Sequence, residues 1–120
     1  MATSPSARSL QHLRKLGYIA QVVERFNPFA HVRQDLFGFI DIVAVKEGEP
    51  GVLGVQATSA DHISHRKKKA EAIDALKVWL AAGNKFVVHG WSKKGARGKI
   101  KHWTLTEKET TLETLLTNVT

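Results

Sequence analysis

The order of apolar patterns along the chain predicts an α/β (α+β) domain in which helices flank a mixed sheet. Short runs rich in β-formers alternate with stretches of helical spacing, and a turn, Glu47-Gly48-Glu49-Pro50-Gly51, joins two of those runs directly. A long helical pattern then separates that pair from two further strand-like runs, which calls for a helical crossover and so for at least one parallel pairing.

Each element has its own signal. Ser4-Pro5 reads as an N-cap with proline at the first helical position, and Leu10, Leu13 and Leu16 keep helical spacing up to the stop at Gly17, giving a helix over about 5–16. Tyr18 to Phe26 is the first strand, and Asn27-Pro28 opens an irregular connector that runs to Gly38. Strands two (about 39–46) and three (about 52–58) form an antiparallel hairpin. A long helix over about 61–82 carries the stripe Ile63, Ala70, Ile73, Leu76 and Leu80, with Arg66 on the same stripe and Gly83 as terminator. Strand four covers about 85–91, a basic glycine-containing loop 92–98, and strand five about 99–105, with Trp91 and Trp103 supporting that hairpin or stacking on a base. Thr106-Glu107-Lys108-Glu109 matches a capping box, so Leu112, Leu115, Leu116 and Val119 are expected in a short C-terminal helix or tail over 106–120.

At 120 residues the chain is expected to be a single domain, long enough for a real core, with no repeat, linker or low-complexity segment. No apolar run approaches the roughly 20 residues of a membrane span, and the N-terminus lacks the apolar segment of a secretory signal, so a soluble, cytoplasmic protein is expected. Absence of cysteine excludes disulfides, thiolate nucleophiles and cysteine-ligated metals. Eighteen Lys+Arg against eleven Asp+Glu leave a net charge of +7, concentrated in Arg66-Lys67-Lys68-Lys69 and in Lys93 to Lys101. Clustering of that kind suits phosphate contact over a uniformly basic, merely soluble surface, which makes a polyanion such as nucleic acid the expected partner and Arg66, Lys67, Lys69, Lys93, Lys94, Arg97 and Lys99 the expected contacts.

Two polar residues stand where apolar ones belong. Asp41 interrupts Phe39-Ile40-Asp41-Ile42-Val43-Ala44-Val45, and Gln56 interrupts Val52-Leu53-Gly54-Val55-Gln56-Ala57. A lone carboxylate in a buried strand costs several kcal/mol unless it is paired or bound to a cation. A metal site shared by adjacent strands, with Asp41 and the amide oxygen of Gln56 as ligands, answers both positions. Gln56 has a second reading, as a partner that only hydrogen-bonds Asp41 and Thr58. Asp35 is a second candidate ligand or a turn carboxylate paired with Arg33, and Glu24 a further ligand or a solvated strand-end residue beside Arg25.

The order αβββαβ, with an acidic residue on the second strand and a polar pair on the third, resembles the PD-(D/E)xK nuclease superfamily, and within it small Holliday-junction-resolvase-like and phage-type nucleases. The resemblance spans about residues 8–105. It rests on Leu13-Arg14-Lys15-Leu16-Gly17-Tyr18, on Asp35-Leu36-Phe37-Gly38-Phe39-Ile40-Asp41 and on Gly54-Val55-Gln56-Ala57-Thr58-Ser59. Ile40 replaces the family proline, Gln56-Ala57-Thr58 replaces Asp/Glu-x-Lys, and Ser6, Ala7 and Arg8 stand where the first helix often carries an acid. The resemblance implies a restriction-endonuclease-like core and Mg²⁺- or Mn²⁺-dependent hydrolysis of duplex or branched DNA, by a homodimer if two strands are cut symmetrically. Asp41 and Gln56 would then be catalytic at the metal, with Lys69, or failing it Arg66, supplying the charge that Thr58 cannot. A solvated basic face is the alternative for both.

Other motifs are weaker. His62 and His65 lack further ligands at a fixed spacing and read as surface residues, and no glycine-rich phosphate loop leads from a strand into a helix. Two other function classes remain open from sequence: a nucleic-acid-binding module that has lost catalysis, and an interaction protein of a phage or mobile element.

Overall fold

In the computed structural model, which describes residues 3–117, helix α1 (Pro5–Lys15) begins where Ser4 Oγ accepts the Ala7 N–H at 3.1 Å. It is followed by β1 (Ile19–Val22), β2 (Arg25–Asn27), β3 (Val32–Gln34), β4 (Ile42–Lys46), β5 (Glu49–Ser59), a 3₁₀ turn (Ala60–His62), α2 (Ile63–Glu71), α3 (Asp74–Ala81), β6 (Lys85–Lys94), β7 (His102–Thr110) and α4 (Leu112–Thr117). Five strands form one mixed sheet in the order β1-β4-β5-β6-β7, with β5 and β6 parallel and the other neighbours antiparallel. The α+β class and its crossover are as expected.

Several boundaries differ from the sequence reading. The first strand stops at Val22, and Arg25–Asn27 leave the sheet to pair with Val32–Gln34 in a separate ribbon. Local chemistry explains this: Asn27 Oδ1 accepts the N–H groups of Phe29 (2.9 Å) and Ala30 (3.2 Å), closing a turn that offers β2 a nearer partner than the sheet. Strand two starts at Ile42 because residues 36–40 fold into a tight turn, with Leu36 N–H donating to Ile40 O at 2.8 Å and Phe37 and Gly38 both in the left-handed region. The predicted helix over 61–82 is broken at Ile73, whose backbone is extended (φ −91°, ψ 120°). On an unbroken helix Ala70 and Leu76 would point about 120° apart; the break resets the phase, so both enter one core. The last strand runs to Thr110, which places Thr106 to Glu109 in β7 rather than in a capping box; Thr111 caps α4 instead, its Oγ1 accepting the Thr114 N–H at 3.1 Å. Val119 lies outside the described residues.

Alternation along the strands divides the core in two. Ile42, Ala44, Val55 and Val87 pack with Leu13 of α1, while Phe39, Ile40, Phe86 and Val88 pack with Ile63, Ala70, Leu76 and Leu80 on the other face. The result is three layers, α1, sheet, and α2–α3. The registers Ile42↔Val22, Ile42↔Val55 and Ser59↔Trp91 bring the end of β1, the start of β4 and the ends of β5 and β6 to one end of the sheet.

Candidate functional site

The Ile42↔Val55 pairing sets Asp41 opposite Gln56, and the Asp41 N–H donates to Val55 O at 2.8 Å. Directly opposed residues share a face. Since Ile42 and Val55 pack toward α1, both polar side chains turn to the α2–α3 face, as their common anomaly in the sequence required. Asp41 is 3% exposed and Gln56 5%. Gln56 Nε2 donates to Asp41 Oδ2 at 2.9 Å and to Asp35 Oδ2 at 3.3 Å, and the Ala57 N–H donates to Asp41 Oδ2 at 2.8 Å. The amide thus presents its nitrogen to the cluster, and its second partner is Asp35 where the sequence had offered Thr58.

Asp35 arrives by the fold-back over residues 36–40, with Gly38 N–H donating to Asp35 O at 3.0 Å. Glu24 arrives from the exit of β1. One carboxylate oxygen each from Glu24, Asp35 and Asp41 lie within 4.8 Å of one another, and this group could hold a metal ion. Two alternatives weighed from sequence are thereby replaced. Arg33 pairs with Glu24, at 3.1 Å, and not with Asp35, and the Glu24 side chain is 15% exposed rather than a solvated strand end. The register Arg25↔Gln34 centres the turn between Phe29 and Ala30, five residues from each of Glu24 and Asp35, so a hairpin centred there brings the two carboxylates together.

Electrostatics follow from this crowding. Burial, then the hydrogen bond shared with Asp35, then the charges of Asp35 and Glu24 push the Asp41 carboxyl up to about 8, against the opposing pull of the Ala57 N–H. Around a hard cation at 2.0–2.1 Å, adjacent oxygens sit about 3 Å apart and opposite ones about 4 Å. The three oxygens lie within 4.8 Å of one another, and an all-oxygen set of this kind suits a hard cation, whose charge would offset the burial and the neighbouring carboxylates that raise the Asp41 carboxyl.

Arg66 and Lys69 line the same pocket as Glu24, Asp35, Asp41 and Gln56. Their place depends on Gly90: a Cβ there would collide with the Ile63 side chain and come within 2.9 Å of Ala60 Cα, so glycine lets the start of α2 lie on β6 beside the end of β5. Lys67 points elsewhere, bonding Glu71 at 2.7 Å, which in turn accepts the Thr110 hydroxyl at 2.9 Å and ties α2 to β7. Lys93 and Lys94 close β6, and Arg97 and Lys99 sit exposed in the loop that follows. Trp91 is buried, whereas Trp103 is 44% exposed, with the Arg8 guanidinium 3.6 Å from its ring centre and the Lys93 ammonium at 5.5 Å.

The sequence reading missed a second polar cluster on the α1 face. Ser9 Oγ lies 2.9 Å from His89 Nδ1 and accepts the Trp91 indole N–H at 2.9 Å, while His89 Nε2 lies 2.9 Å from Glu107. The connectivity is that of a serine–histidine–carboxylate relay, yet Ser9 and His89 are both fully buried, so no substrate reaches the hydroxyl and the cluster is structural. The His89 hydrogen bond holds the Glu107 carboxyl below its ordinary range.

Comparison with family models, curated proteins and solved structures finds no match. Among the described residues no helix is long and apolar enough to cross a membrane.

Proposed function

We propose that the protein is a metal-dependent DNA endonuclease of the PD-(D/E)xK kind, acting on duplex or branched DNA. The observation that carries this reading is the meeting of opposite charges in one pocket, whose lining includes three convergent carboxylates together with Arg66 and Lys69. Glu24, Asp35 and Asp41 would hold the ion, Mg²⁺ or Mn²⁺, which when bound supplies Lewis acidity and a lowered pKa for water. Gln56 orients Asp41 through its hydrogen bond, or serves as a ligand after a half-turn of its amide that exchanges nitrogen for oxygen. Arg66 and Lys69 neutralise the charge that builds on the phosphate as a water oxygen bonds to phosphorus and the bond to the sugar oxygen breaks, the water's proton passing by way of solvent to the leaving oxygen.

Topology supports a nucleic-acid substrate. The β2–β3 ribbon and the basic β6–β7 loop both project from the sheet end that carries the pocket, one toward each edge. The test is incubation of supercoiled plasmid and of labelled four-way junctions with Mg²⁺ or Mn²⁺. Nicked or linear products that vanish with EDTA and with Asp41→Asn are expected. Binding without cleavage under every metal condition would replace hydrolysis by the binding-module reading, which buried Thr58 at the position of the family lysine favours.

A further inference from the structure

Three features meet in the β2–β3 ribbon. Between Arg25 and Gln34 it has no acidic residue and carries Arg25, His31 and Arg33. It displays apolar groups to solvent, with Phe29 95% exposed, Phe26 60% and Val32 48%. Its two bases are the site carboxylates themselves, Glu24 immediately before β2 and Asp35 immediately after β3.

We propose that this ribbon is a nucleic-acid-reading arm whose aromatic tip stacks on unpaired bases next to the carboxylate pocket. The tip is preorganised. Asn27 Oδ1 holds the Phe29 and Ala30 N–H groups, and His31 adopts the left-handed conformation (φ 53°) that closes the turn, so Phe29 is presented rather than folded back. Phe26 is the direct cross-strand partner of Arg33 and so shares its face, and Arg33 reaches the pocket through Glu24. An aromatic beside cationic groups, with no acid on the ribbon, matches a polyanion with accessible π-faces. Plain duplex hides those faces in its stack; forks, junctions and single strands expose them. Because the ribbon begins and ends at Glu24 and Asp35, seating its tip also fixes where the backbone lies relative to the pocket.

This inference rests on the nucleic-acid part of the proposed function, not on hydrolysis. Binding is therefore measured in EDTA, by fluorescence anisotropy of a labelled 20-mer duplex, a matching fork with unpaired arms and a single strand, for the parent and for Phe29→Ala and Phe26→Ala. Because Phe29 lies in solvent, its removal leaves the fold intact, which circular dichroism verifies. Phe29→Ala should weaken fork and single-strand binding about tenfold, the scale of one base–aromatic stack, with duplex binding and the salt slope unchanged. A 2-aminopurine in the unpaired arm should be quenched by the parent and not by the variant. Equal affinity of parent and variant for all three probes overturns the arm, as does an equal loss on all three. Loss of a dimer on Phe29→Ala in sedimentation would assign the tip to a second copy of the chain, and parent binding to anionic vesicles without binding to DNA would assign it to a membrane surface. A parent that distinguishes fork from duplex through Phe29 but cleaves neither with Mg²⁺ leaves the arm standing and removes the nuclease.

Discussion

Replacing Asp41 by asparagine should stabilise the metal-free protein at neutral pH while abolishing its response to metal. In the unfolded chain this carboxyl releases its proton near its ordinary value of 3.8, whereas in the pocket it holds the proton up to about 8. Between those values the folded state binds more protons than the unfolded state, so stability falls as pH rises. The contribution of the neutral carboxyl is complete below 3.8 and gone above about 8. At about 1.36 kcal/mol per pH unit, the loss from 3.8 to pH 7 is on the order of 4 kcal/mol. Asparagine cannot ionise. Its oxygen can still accept from Gln56 Nε2 and Ala57 N–H, and its NH₂ can face Asp35, so the Asp41→Asn variant should show a flatter stability profile, matching the parent near pH 4 and exceeding it at pH 7–8. Mn²⁺ at a hundred times its Kd should raise the parent's stability by about 2.7 kcal/mol and leave the variant's unchanged. Thermal unfolding across pH 4–8 in EDTA, repeated with Mn²⁺, reads both effects. A variant less stable than the parent by the same amount at every pH would mean that Asp41 is ionised and satisfied without metal, and an undiminished Mn²⁺ response would place the ion elsewhere.

Lys69→Met should lower turnover more than DNA affinity, because a group acting on the developing charge affects the chemical step more than ground-state binding; a variant that loses affinity and keeps turnover makes Lys69 an anchor and passes the role to Arg66. Gly90→Ala should cost about 1–3 kcal/mol by overpacking against Ile63 and Ala60 and should reduce activity by shifting α2, with chemical denaturation and turnover as the measurements; unchanged stability would contradict the close approach. Ser9→Ala should cost about 1–3 kcal/mol, since it leaves the Trp91 indole N–H and His89 Nδ1 without their buried partner, and should leave metal binding untouched; abolished cleavage in a variant of parental stability would instead make the hydroxyl functional.

Much of the site was legible in the sequence because the anomaly was local. A carboxylate and an amide in two adjacent buried strands need each other whatever surrounds them, and a hairpin turn between the strands limits how they can face, so the Asp41–Gln56 pair could be read from composition and alternation alone. The mixed sheet and its parallel crossover were legible for a similar reason, since period and turn chemistry are properties of short windows. Glu24 was not. Its role depends on where β1 ends, which is decided by competition between pairing in the sheet and the Asn27-closed ribbon, and by the fold-back at Phe37-Gly38 that delivers Asp35. The break at Ile73 and the continuation of β7 through Thr106 to Glu109 were likewise settled by tertiary demands. Helical spacing in residues 61–82 could not show that Ala70 and Leu76 must reach the same core, and a capping-box pattern could not show that Glu107 is held in a strand opposite His89. Residue type and local period determined which groups had to be partnered; only packing across the sheet decided which partners they met.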